Sequence, residues 1–189
     1  MGTSYCPSLV LTLVRKHADP FEFVVETNRL MRDGGLFLVS AGKDGKPNAM
    51  TIGWGLLGTM WRQPFFIVAV RLSRYTHKLI EETGKFTVCL PAKGMEKALD
   101  VCGNKSGRDI DKFKELRLTA EQGYMVDAPY IAECPVHYEC RVAYKTELKP
   151  GQLERALEKD VYPGGNYHVL YFGHFKGAYA ETGAVEMLP

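Results

Sequence analysis

Short apolar runs separated by turn-forming residues dominate this chain, a rhythm that predicts strands more often than helices. Residues 35–40 read as a buried strand. The segment Gly42-Lys43-Asp44-Gly45-Lys46-Pro47 supplies a turn, and residues 48–54 return as the second arm of a hairpin. Residues 65–70 and 85–90 are continuous apolar strands, the second stopped by Pro91. The longest alternation sets Val136, Tyr138, Cys140, Val142 and Tyr144 against His137, Glu139, Arg141, Ala143 and Lys145. Its period of two predicts a half-buried antiparallel strand, with Cys134 and Cys140 on one face but too far apart to bond. Residues 167–180 form a final strand that is expected to bend at Gly173 or Gly177.

The helical signals are shorter. Thr76 is placed to cap a helix running to about Thr83, which Gly84 ends. Met95, Leu99 and Cys102 share one face of a helix over 95–101, a second short helix covers 109–116, and residues 151–160 form an exposed helix without evident chemistry. Six or so strands with helices in their connections predict a closed or nearly closed antiparallel barrel.

At 189 residues the chain supports one well-buried core. Residues 1–34 are expected to be an N-terminal extension packing on the barrel, and 35–189 the domain itself. A formal charge of +2, with no block of like charge, excludes a dedicated nucleic-acid or anionic-membrane binder. The five cysteines form no CxxC pair and no zinc-spaced cluster, and the odd count fits a reducing cytoplasm. The apolar run 9–14 lacks a preceding basic segment and is too short to span a membrane.

Chemistry concentrates in two segments. Arg71-Leu72-Ser73-Arg74-Tyr75-Thr76 and the stretch from Cys102 to Phe113 together offer Arg71, Arg74 and Lys112 as cations, hydroxyl donors, glycine turns and helix-start amides. Those are the parts that hold a phosphate monoester. The alternative for Arg71 and Arg74 is surface pairing with Glu81 or Glu82. Cys102 reads more simply as the buried end of an apolar helix face than as a redox thiol. His17, His77 and His137 have no evident partners in the sequence.

Three motifs in this order, Asn48-Ala49-Met50-Thr51-Ile52-Gly53-Trp54, Arg71-x-Ser73-Arg74-Tyr75-Thr76 and Cys102-Gly103-x-Lys105-Ser106-Gly107-Arg108-Asp109-x-Asp111-Lys112-Phe113, carry a family likeness. From about residue 35 to 180 the chain resembles the flavin reductase-like, FMN-binding split-barrel proteins, most of all their flavoredoxin branch. The resemblance implies a mainly β fold with short helices, an antiparallel Greek-key split barrel, working as a homodimer with the cofactor in a groove at the subunit interface. It implies non-covalent FMN, NAD(P)H as co-substrate, and flavin or ferric reductase activity that passes electrons to a small-molecule or protein acceptor. The alternative within it is a flavoredoxin-type carrier reduced by a partner protein. A split barrel without cofactor and a pyridoxamine phosphate oxidase are further readings, the first opposed by the intact cationic residues and the second by the third motif.

The cofactor-binding positions implied are Asn48, Ala49, Met50, Thr51, Gly53, Trp54, Arg71, Ser73, Arg74, Tyr75, Thr76, Cys102, Gly103, Ser106, Gly107, Asp111, Lys112 and Phe113. Asn48 and Thr51 are expected to bond the flavin ring, and Gly53 to admit it close to the backbone. Trp54 either walls the ring or packs in the core with Met50 and Ile52. His168 is the catalytic candidate, orienting nicotinamide or protonating reduced flavin, unless it is only a half-buried strand residue. Where the family usually continues Gly-Glu-Val, this chain has Gly173-His174-Phe175.

Overall fold

The computed structural model describes residues 15–189; Cys6 and the run 9–14 lie outside the described residues. In chain order the elements are β1 (Arg15–His17), α1 (Val24–Asp33), β2 (Leu36–Ala41), β3 (Pro47–Ile52), β4 (Gly55–Met60), β5 (Gln63–Arg71), α2 (Tyr75–Thr83) and β6 (Lys85–Leu90). They continue with α3 (Glu96–Asn104), α4 (Lys112–Leu116), β7 (Ala120–Gln122), β8 (Pro129–Ile131), β9 (Val136–Glu147), α5 (Arg155–Val161), β10 (His168–Glu181) and α6 (Ala184–Met187). The structure is mainly β with short helices.

The main sheet is antiparallel throughout and runs β3-β2-β6-β9-β10-β5-β4, with β1 added to β10. Its two end strands, β3 and β4, are consecutive in the chain and joined through Gly53 and Trp54. The sheet therefore curls back on itself and leaves a seam where β3 has one unpaired edge. One apolar cluster fills the curl, with Leu38, Phe66, Phe86, Tyr138 and Phe175 among its members. A second lies outside β2 and β6, where Phe37 and Cys89 meet Leu99, Cys102 and Phe113 of α3 and α4. That second cluster holds the two helices against the seam. Residues ahead of the expected domain boundary are also integrated: β1 extends the sheet, and Phe23, Leu30 and Met31 enter the first cluster.

Gly84 closes α2 in the left-handed conformation at φ 66°, as its position after Thr83 predicts. β10 shifts register at Phe172/Gly173 and again at Phe175/Gly177, so both glycines sit where the strand bends. A β-carbon on Gly173 would overlap the Phe86 ring, which explains that glycine by packing alone.

Other expectations need correction. β9 is not half-buried along its length: residues 136–140 are buried on both faces, and from Arg141 onward the strand is exposed except for the partly covered Val142 and Thr146. The β7–β8 hairpin covers the second face, stacking Tyr130 on His137 at 3.9 Å between ring centroids. Glu139, also buried, accepts hydrogen bonds from the amides of Tyr124, Met125 and Val126 at 2.7–2.9 Å. Cys134 precedes β9 rather than lying on it, and its thiol approaches Met95 Sδ at 3.9 Å. The three histidines do have neighbours: His137 meets Glu139 at 3.2 Å and Arg15 at 3.3 Å, His77 meets the Tyr171 hydroxyl at 2.6 Å, and His17 packs edge-on to Tyr179. The N-cap of α2 is Arg74, not Thr76.

Candidate functional site

Two adjoining cavities open along the seam. The larger, of about 310 Å³, lies between the Arg71–Thr76 turn and the loop after α3; the smaller, of about 230 Å³, follows β3 to Trp54. Met50, Arg71 and Arg74 border both.

The larger cavity is built for an anion. The N-terminus of α2 opens on it through Ser73, Arg74, Tyr75 and Thr76, and no side chain caps that end. Its first amides thus remain available to a ligand, with the helix dipole adding partial positive charge. Two carboxamides orient the hydroxyls. Asn48 Nδ2 donates to Thr76 Oγ1 at 2.9 Å, and Asn166 Nδ2 donates to Ser73 Oγ at 2.9 Å. Each hydroxyl is held as an acceptor there, so its own proton is left to donate into the cavity.

The cations converge at the C-terminal end of α3. Arg74 Nη1 donates to Gly103 O at 2.9 Å, while Lys112 Nζ donates to the neighbouring Cys102 O at 3.0 Å and to Ala49 O at 2.7 Å. Carbonyls at a helix C-terminus attract positive charge. Lys112 is buried, at 4 % exposure. Burial, followed by the charge of Arg74, pulls its ammonium below the usual lysine range, against an opposing effect of Cys102. Two of its three protons clasp β3 to α3, and one is left for the cavity.

Arg71 Nη1 and Nη2 donate to Asn166 O at 3.0 Å and Val161 O at 3.3 Å. Its guanidinium lies 5.8 Å from the Trp54 ring centroid and 5.2 Å from that of Tyr162. Neither arginine pairs with the acidic residues of α2, because Lys145 and the Tyr171 hydroxyl take Glu81 and Lys78 takes Glu82.

Along β3 the side chains behave differently from expectation. Thr51 Oγ1 spends its proton on Leu99 O at 2.5 Å, while Asn48 gives one Nδ2 proton to Thr76 and keeps its second proton and Oδ1 for a ligand. Asn48 and the backbone of the open edge are thus the groups along this strand with hydrogen-bonding capacity left. Trp54 is 45 % exposed, lies beyond the end of β3 and borders the smaller cavity, so it is not core. Met50 both lines the cavities and belongs to the first core cluster. Gly53 borders the same space.

Of the remaining residues singled out in the sequence, Cys102, Ser106 and Gly107 line the larger cavity. Burial pushes the Cys102 thiol up to about 11, Lys112 acting in the opposite sense, which makes it a packing residue rather than a thiolate. Ala49 and Gly103 act through the carbonyls that hold Lys112 and Arg74. Asp111 N-caps α4, accepting from Lys114 N at 3.2 Å, and pairs with Lys46. Phe113 is likewise core.

His168 lies 4.7 Å from Trp54, ring to ring, and its Nδ1 is 2.7 Å from the Tyr162 hydroxyl. Burial, then Arg71 and Arg74, push the imidazole down to about 4. These influences favour the uncharged imidazole near neutral pH.

Sequence reading missed the wall formed by the segment after α5. Tyr162 and Asn166 belong to no motif, and Asn166 takes φ 57°, a conformation asparagine tolerates better than most residues. Asn104, Lys105 and Arg108 also line the larger cavity. Arg108 donates to Ser73 O at 3.1 Å and covers the Tyr75 ring at 5.2 Å. Among the described residues no His/Cys/Asp/Glu cluster could hold a metal ion, and no helix is long and apolar enough to cross a membrane.

FMN fits this arrangement: uncapped helix amides, pre-oriented hydroxyls and cations suit its phosphate, and an open strand edge beside Trp54 suits its ring. Comparisons with known proteins agree. A flavoredoxin of Methanosarcina acetivorans is 31 % identical, with a TM-score of 0.62 over 78 % of this chain and 68 % of that one. Flavoredoxin of Desulfovibrio vulgaris shares the fold at 24 % identity, with a TM-score of 0.64 over 82 % and 74 %. An uncharacterised protein of Archaeoglobus fulgidus is 32 % identical over 140 residues, covering 71 % of this chain and 78 % of that protein. The profile of the flavin reductase like domain matches residues 32–187, and the chain belongs to that family.

Proposed function

We propose that this protein holds FMN non-covalently in the two adjoining cavities and works as an NAD(P)H-dependent flavin oxidoreductase. The observation that carries the reading is the convergence of Arg74 and Lys112 on consecutive carbonyls, Gly103 O and Cys102 O, beside the uncapped start of α2. Arg74, Lys112, Ser73, Thr76 and the α2 amides bind the phosphate, and the open edge of β3 takes the polar rim of the ring. Trp54 and His168 bound the ring's far end and exclude water from it. Bound FMN supplies the redox chemistry, taking electrons from a nicotinamide and yielding them to a small acceptor such as free flavin or a ferric chelate. The protein's part is to position the partners.

The second reading, a carrier reduced by a partner protein, is favoured by the similarity to the Methanosarcina flavoredoxin at 31 % identity. Anaerobic mixing of FMN-loaded protein with NADH or NADPH separates the two. Rapid bleaching of the flavin's long-wavelength absorbance supports the reductase; persistent colour, with ready reduction by a redox protein, supports the carrier.

We further propose a homodimer with the cofactor groove at the subunit interface. Exposed Leu56, Trp61 and Tyr144 on and near the β4–β5 end of the sheet support it. A monomer in sedimentation equilibrium at micromolar concentration contradicts it. The free thiols of Cys89, Cys102, Cys134 and Cys140 support a cytoplasmic location.

A further inference from the structure

Tyr162 lies outside every motif of the sequence, yet it holds the one imidazole that, among the described residues, borders the cavity along β3. Its ring is buried, stacked on Tyr167 at 4.5 Å and faced by the Arg71 guanidinium. Its hydroxyl oxygen is 2.7 Å from His168 Nδ1. Among the described residues the hydroxyl has no other hydrogen-bond partner to take its proton, so the phenol's own proton is the one shared with the ring. A neutral imidazole that accepts at Nδ1 carries its proton on Nε2. Among the described residues no hydrogen bond of His168 other than that with Tyr162 engages the ring, and His168 lines the cavity along β3.

The surroundings keep the ring uncharged. Burial against Trp54 and Tyr162 acts first, and Arg71 from β5 and Arg74 at the N-cap of α2 add their positive charge.

We propose that Tyr162 is a positioning residue that fixes His168 as the Nε2–H tautomer, so that the ring offers an uncharged hydrogen-bond donor to a carbonyl oxygen lying in the cavity beside β3. The identity of that carbonyl, on the flavin or on the carboxamide of a nicotinamide, rests on the flavoprotein reading. An uncharged imidazole polarises a carbonyl without giving up its proton, and it does so throughout the neutral range. His168 then contributes orientation and polarisation in place of proton delivery.

The direct test is long-range ¹H–¹⁵N correlation on ¹⁵N-labelled protein, without cofactor, between about pH 5 and pH 8. Wild type is expected to show an acceptor-type Nδ1 and a protonated Nε2, with no titration across that range. In Tyr162→Phe the ring is expected to become a mixture of tautomers. A wild-type proton on Nδ1, or a Tyr162→Phe ring with unchanged tautomer, overturns the proposal. The wild-type spectrum decides even if the variant does not fold.

A second arm uses FMN-loaded protein and the rate of reduction by nicotinamide. Tyr162→Phe is expected to slow reduction about tenfold, the worth of one well-placed hydrogen bond, and to change nothing when His168 is already alanine. Equal losses in both backgrounds overturn the proposal. Failure of the wild-type protein to accept electrons from NAD(P)H refutes the reductase reading instead, and the cofactor-free spectrum still decides the role of Tyr162.

Discussion

At Gly107 a β-carbon would overlap the Asn48 carboxamide oxygen and press on the Tyr75 ring, whereas at Gly53 it would meet only Met31 O at 3.5 Å. The two glycines therefore serve different ends. Gly107→Ala displaces the residue that orients the Thr76 hydroxyl, and it is expected to lower Tm by several degrees and weaken FMN binding at least about tenfold. Gly53→Ala should leave Tm within about 1 °C of wild type, since ordinary van der Waals contact costs little. It should nonetheless weaken FMN, because the added methyl occupies cavity space. Thermal melts with and without FMN check both; a Gly53→Ala protein that binds FMN normally removes that glycine from the ring site. The sequence reading supplied the reason for Gly53, close approach of the ring, but marked Gly107 only through its motif. The reason at Gly107 depends on which side chains the fold brings opposite it, and Asn48 is remote from Gly107 along the chain.

Lys112 ties two elements together, and this was not legible from its neighbours. In sequence it is a lysine at the start of a short helix, an ordinary surface position. Only the docking of α4 through Phe113 into the second core cluster turns its amine inward, to Ala49 O on β3 and Cys102 O on α3. Lys112→Met keeps the bulk but strips both carbonyls of their donor. It is expected to cost about 2–4 kcal/mol in denaturant unfolding and to abolish tight FMN binding. Unchanged stability would mean that the clasp contributes nothing.

Elsewhere the strand pattern was readable where alternation or a continuous apolar run was long, as in β2, β3, β5, β6 and β10. β4 escaped because Gly55-Leu56-Leu57-Gly58 has no period and Leu56 faces outward. β9 was found but misjudged, since a strand's own pattern cannot report that a separate hairpin covers its polar face. The wall around Tyr162 and Asn166 was invisible for a related reason: its residues act singly, through contacts with distant segments.

Across the whole molecule, buried imidazoles make the fold sensitive to acid. His168 titrates at about 4 in the folded protein against 6.5 ordinarily, and His137 is also lowered, chiefly by burial. The unfolded chain therefore takes up these protons first, and stability falls as pH drops from about 6.5 to about 4. For His168 the loss is on the order of 3 kcal/mol. Glu139 acts in the same sense: despite its burial, His137 and three backbone amides hold its carboxylate below the usual range, so its contribution disappears as acid protonates it. Denaturant unfolding at stepped pH checks this, and His168→Gln is expected to flatten the decline. An unaltered slope would show that His168 does not carry it.

Everything assigned to the cavities depends on Arg74, Lys112 and the start of α2 acting together on one phosphate. Measuring the affinities of FMN and of riboflavin, which lacks only the phosphate, tests this most directly. Wild type is expected to bind FMN about 100-fold or more tightly than riboflavin, from two or more charge-assisted hydrogen bonds. Arg74→Ala should shrink that ratio about tenfold or more while barely changing riboflavin affinity. Equal binding of the two flavins by wild type, or a ratio untouched by Arg74→Ala, would contradict the assignment.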